Sequence, residues 1–153
     1  MYGEKIWGLN LAIEELLAGF LDLTLASMPG VAAITFGKET VLYPFVPLDR
    51  FSLPRLEAFG DTKLTEALAM ASEIATDETI TLLVSDGAPN DGRFSKAPLK
   101  GTAFAMAIGY DADPDLLSRF TGYSDRVFPS VEARSLPGYW YANFITRGAA
   151  TVR

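Results

Sequence analysis

The sequence predicts an α/β protein, with a mostly parallel sheet and helices on both of its faces. Two observations carry this. The runs "VAAITFG", "TITLLV" and "TAFAMAI" are as short as strands, wholly apolar, and bounded by turn-forming residues. Around them lie segments whose apolar residues recur three and four apart, the spacing of amphipathic helices. Strands apolar on both faces need cover on both faces, and crossover helices supply it.

Taken in order, residues 4–26 predict a helix, with Ile6, Leu9, Ile13, Leu16, Leu17 and Phe20 on one face and Met28-Pro29-Gly30 as the stop. Residues 31–37 predict a buried strand. Residues 40–48 carry Pro44 and Pro47, which cannot donate to a ladder, so this segment predicts an edge strand. Leu64, Leu68, Ala71 and Ala75 put a helix at 64–76, followed by a second buried strand at 79–86 and a polar loop at 87–98. A third buried strand follows at 102–109. Asp113-Pro114 is a helix start, with Asp as N-cap and Pro in the first turn, and that helix runs to about Phe120. A short strand at 125–130, a closing helix at 137–145 and a loose tail complete the chain. The boundaries are one domain over residues 1–146 and a tail over 147–153, with no internal repeat.

Composition narrows the function. The chain has 153 residues, 49% of them hydrophobic, enough for one domain that buries roughly 68–70% of its unfolded surface. Thirteen basic and 19 acidic residues give 13 − 19 = −6, which disfavours nucleic acid and anionic membrane as partners. There is no cysteine and no histidine, which excludes disulfides, thiolate zinc sites, cysteine nucleophiles and Ser-His-Asp catalysis. Any metal site must be built from oxygen, which suits magnesium, manganese or calcium. No apolar run reaches the roughly 20 residues that span a bilayer, and "MYGEKIWGLNL" lacks the order of a signal peptide, so a cytoplasmic protein is expected.

In open α/β sheets, ligands bind outside the carboxyl ends of the strands. "SDGAPND" (85–91) places Asp86 at such an end, and "FGDTKLTEAL" (59–68) places Thr62 just before a helix. Simpler roles stand beside these. Asp86-Gly87 also suits a plain turn, and Thr62 also suits an N-cap. Asp61, Asp91 and Asp111 read as solvated loop acids. Tyr139, Trp140 and Tyr141 read as residues packed on the sheet, with partner contact as the alternative, and Trp7 as a residue near the ligand end. No Gly-x-Gly-x-x-Gly fingerprint and no Walker-type phosphate loop is present, so a nucleotide-binding Rossmann protein fits poorly.

"VAAITFGKE", "FGDTKLTEAL" and "TLLVSDGAPND", in that order and at those distances, resemble the von Willebrand factor type A (vWA) domain, and the resemblance covers nearly the whole chain. The opening "MYGEKI" is similar to the bacterial subgroup associated with tellurium resistance. The resemblance implies a three-layer Rossmann-like fold with one antiparallel edge strand. It also implies a metal-ion-dependent adhesion site (MIDAS) in three parts: Asp-x-Ser-x-Ser after the first strand, a threonine matching Thr62, and an aspartate matching Asp86. In such a site hydroxyls bind magnesium directly, the acids act largely through water, and one position stays open for a partner's carboxylate.

One departure is plain. The family's first motif is followed by Met-x-Gly-Glu, and this chain begins "MYGE", so Met1 matches the residue just after that motif. The central first strand and all of Asp-x-Ser-x-Ser are missing from the sequence. A strand removed from a sheet leaves its neighbours roughly 10 Å apart, and each unsatisfied buried polar group costs about 1–3 kcal/mol. The sheet must close up, borrow a strand, or belong to a longer protein; the last is the expectation here.

Three functions follow. The first is a non-enzymatic domain that recognises an Asp or Glu carboxylate of a protein partner through a divalent cation at Thr62 and Asp86. Only two of five ligand positions are present, so magnesium binding by this chain alone is expected to be weak or absent. The second is a metal-free module that accepts a strand from a partner or from a second copy of itself. The third, least favoured, is phosphoryl transfer at Asp86 with Lys63 and Asp91 enlisted, since such chemistry needs further fixed charges that no motif here demands.

Overall fold

The computed structural model describes residues 3–22, 28–58, 60–85, 99–109, 112–130 and 137–138. In chain order the elements are α1 (Glu4–Asp22), β1 (Gly30–Phe36), β2 (Thr40–Pro47), α2 (Leu64–Ile74), β3 (Ile80–Ser85), β4 (Thr102–Ile108), α3 (Pro114–Thr121) and β5 (Val127–Ser130). Strands β3, β4 and β5 form a parallel sheet in that order, and β1 pairs with β2 antiparallel.

Helices cover both faces of the parallel sheet, as the apolar runs predict. Successive strand residues point to opposite faces, and β4 uses both. Ala103, Ala105 and Ala107 meet Leu64 and Leu68 of α2 and Leu117 and Phe120 of α3, with Leu83 of β3 in the same cluster. On the opposite face Met106 and Ile108 meet Leu9 and Ala12 of α1, and Leu82 and Val84 of β3 border that cluster. Small residues on the face shared by two helices let both approach closely.

Local chemistry sets the element ends. Asp113 caps α3, its carboxylate accepting from the Leu116 N–H at 3.0 Å, with Pro114 in the first turn. Gly122 closes the same helix in the left-handed region at φ 78°, its N–H donating to the Ser118 carbonyl. Helix α2 stops at Ile74, short of the predicted 76, because Ala75 is already extended. Helix α1 is described to Asp22, and residues 23–27 of the predicted helix lie outside the described residues. Of the predicted closing helix only Pro137 and Gly138 are described, with helical backbone.

Strand β2 is an edge strand, as its prolines require, and its register with β1 slips between Val31 and Ala33. The prediction that residues 31–37 form a buried strand is corrected. None of the seven residues of β1 is buried, against six of the seven in β4. The reason lies in the neighbours: among the described residues, β1 is hydrogen-bonded on one edge only, and no ladder joins it to β3. Among the described residues the two ladders stay separate. No helix among the described residues is long and apolar enough to cross a membrane.

Candidate functional site

The site is set by the way α2 runs back along β3. A short turn joins them, tied by hydroxyls: the Thr76 N–H donates to Thr79 Oγ1 at 2.8 Å, and the two hydroxyls lie 3.1 Å apart. The Thr79 carbonyl then accepts from the Thr102 N–H at 2.9 Å, which fixes this turn at the amino end of β4. Helix α2 therefore begins at the carboxyl end of the parallel sheet. Its 11 residues rise about 16 Å, and the six residues of β3 extend about 20 Å. Thr62, two residues ahead of α2, is thus carried to the level at which β3 ends.

Strand β1 ends at the same place. Its last residue pairs with Thr40 across the hairpin, and Thr40 Oγ1 donates to Glu66 Oε2 at 2.9 Å in the first turn of α2. Lys63 Nζ lies 3.9 Å from the same carboxylate. One edge of the molecule thus gathers the carboxyl ends of β1 and β3 and the start of α2.

The candidate residues are placed as follows. Thr62 is half-buried at this edge and Asp61 is exposed there. Thr62 is not the N-cap of α2, which corrects that expectation: Lys63 holds the position, with no side-chain cap bond. Ser85 ends β3 and is only 3% exposed. Asp86, the next residue, lies outside the described residues, as do Asp91, Asp111 and the Tyr139-Trp140-Tyr141 trio. Trp7 on α1 is 45% exposed. Asp113 caps α3.

Two residues that shape this region had no motif to announce them. Ser85 could have been noticed as a hydroxyl that closes an apolar strand and stays buried. Asn10, on the half-buried side of α1, accepts from the Leu56 N–H at 2.7 Å and donates to the Leu56 carbonyl at 3.0 Å. Its amide acts as a short stretch of strand, pinning the segment that leads toward Thr62.

The donor chemistry at this edge is hydroxyl oxygen, which suits a hard divalent cation. It is not a complete cage. Among the described residues no three Asp, Glu, His or Cys side chains converge to hold a metal.

Several solved structures share this fold. One is the ArnB paralog VWA2 from Sulfolobus acidocaldarius, with TM-score 0.68, 14% identity, and 88% of this chain covered against 39% of that one. Another is proximal thread matrix protein 1 from the mussel byssus, with TM-score 0.61, 19% identity, and 91% of this chain covered against 42% of that one. The same mussel protein with a zinc-occupied MIDAS motif matches with TM-score 0.58 at 18% identity, over 91% of this chain and 42% of that one. The chain spans about two fifths of the length of these proteins. At these identities the likeness is one of fold, and the fold is vWA-like. No protein-family model matches the chain, and no curated protein matches it in sequence.

Proposed function

We propose that this chain is a non-enzymatic, vWA-type recognition domain that meets a carboxylate of a protein partner through a divalent cation held by Thr62 and Asp86, at a site this sequence supplies only in part. The observation that carries it is the convergence of the Thr62 segment and the end of β3, 23 residues apart, on one edge of a vWA-like fold. A zinc-occupied MIDAS in a protein of similar fold supports the choice of a divalent cation. Magnesium is the cation we favour for an oxygen-only donor set. A bacterial, cytoplasmic role in tellurium resistance or stress response belongs to the same proposal and rests on the resemblance of "MYGEKI".

Calorimetric titration of the chain with magnesium tests it. The expected dissociation constant is weaker than micromolar, and Asp86→Ala removes the remaining binding. A constant tighter than micromolar would contradict an incomplete site, and binding unaffected by Asp86→Ala would place the cation elsewhere.

A further inference from the structure

Asn10 of α1 grips Leu56 by both of its backbone groups. Its Oδ1 accepts from the Leu56 N–H at 2.7 Å, and its Nδ2 donates to the Leu56 carbonyl at 3.0 Å and to the Ile6 carbonyl at 3.0 Å. Both donors of the amide are engaged, and its oxygen with them. The bond to Ile6, one turn back in the same helix, fixes which way the amide faces. The Leu56 side chain borders the cluster of Leu9, Ala12, Met106 and Ile108. Backbone and side chain thus hold one residue against α1 and the sheet.

That grip falls in a stretch with no regular structure of its own. Residues 51–58 and 61–63 lie in no helix or strand. Upstream, the Phe51 N–H is held by the Leu48 carbonyl at 3.2 Å. Downstream the chain is fixed at Leu64, which is fully buried in the cluster beneath α2. Residues 57–63, with Asp61 and Thr62 among them, therefore hang between two fixed points, Leu56 and Leu64. Without the Asn10 bonds the span would run from 52 to 63, and a longer span confines its residues less closely. The half-buried N–H and carbonyl of Leu56 would also lose their partners, which favours local opening.

We infer that Asn10 is a positioning residue of the cation site, one that sets how closely the Thr62 hydroxyl is held for a divalent cation. It acts through Leu56, because its own amide is committed to Leu56 and Ile6. The physical reason is preorganisation: a loop that must be ordered when the cation arrives subtracts that cost from affinity, and a loop already fixed has less to lose. The inference rests on the cation reading of Thr62 and Asp86.

The test compares two variants of the full chain. Asn10→Leu removes the amide and keeps an apolar side chain of similar size. Asn10→Asp keeps the acceptor and loses both donors, and it carries the test alone where Asn10→Leu does not fold. Thr121→Ala is the control for lost stability. It removes a hydroxyl that accepts from the Tyr123 N–H at 3.2 Å and donates to its carbonyl at 2.6 Å, where α3 leads into β5 at the other end of the sheet. Each chain is read by hydrogen exchange without metal, and by manganese titration with paramagnetic broadening of amide signals. The expected result is exchange about tenfold faster over residues 57–62 in both Asn10 variants, with β4 unchanged. Manganese affinity at Thr62 falls by about threefold or more, and Thr121→Ala changes neither. Three results would each overturn the inference: unchanged exchange over 57–62, acceleration shared equally by β4, and a freed loop that keeps the parent affinity for manganese. If the unaltered chain shows no broadening at Thr62, the cation reading itself fails and takes the inference with it. The two failures are thus seen in different proteins, the parent and the variants.

Discussion

Gly101 shows how much one residue decides. It sits at φ +80°, and a Cβ there would lie 2.0 Å from the Thr79 carbonyl oxygen and 2.9 Å from that of Thr76. The turn that sets the direction of α2, and with it the position of Thr62, closes only over a glycine. Gly101→Ala is expected to cost about 3 kcal/mol, from left-handed strain plus the clash with backbone, measured by urea denaturation. A loss under about 0.5 kcal/mol, the level of a neutral surface change, would mean the turn is not held as described. Asn10 makes the contrary point about legibility. An asparagine in an apolar helix can be seen in the sequence, but its partner, Leu56, is 46 residues away. Thr62 reads as a helix cap because the residue type suits one, yet Lys63 takes the position. The choice between adjacent residues depends on how α2 meets the sheet, which no local pattern encodes.

Among the elements, α3 was the most legible, because both of its signals are local. Asp113-Pro114 starts it and Gly122 stops it. Asp113→Ala is expected to cost about 1 kcal/mol in thermal or urea unfolding, with the vWA-like fold retained. No measurable change would mean the Asp113–Leu116 bond contributes nothing in solution. Strand β1 was legible as a strand and not as to its burial. "VAAITFG" carries the composition of a central strand, and burial is set by what lies on either side of it. The prolines of β2 placed it correctly at an edge, since a missing donor is a property of the residue itself.

For the whole molecule, the α/β class, the two covered faces and the order of the elements could all be read from apolar periodicity. The division of the described strands into two ladders could not be read from periodicity. The carboxyl-end edge was legible as a place, through the rule that ligands sit where parallel strands end. The Glu66 link that joins the β1 hairpin to α2 was not, because it depends on a hairpin and a helix meeting in space. The cation proposal follows from this architecture, because the edge at the carboxyl ends supplies oxygens.

One measurement tests the central claim most directly, and it is a manganese titration of the labelled chain followed by paramagnetic broadening of backbone amide signals. The opposite end of the sheet carries its own acids, Asp77 and Glu78, beside the Thr76–Thr79 turn, so the map has an internal control. The account predicts broadening centred on Thr62 and Ser85, absent in Asp86→Ala. Broadening centred on Asp77 and Glu78, or spread evenly over surface acids, would contradict a cation site at the carboxyl ends of the strands.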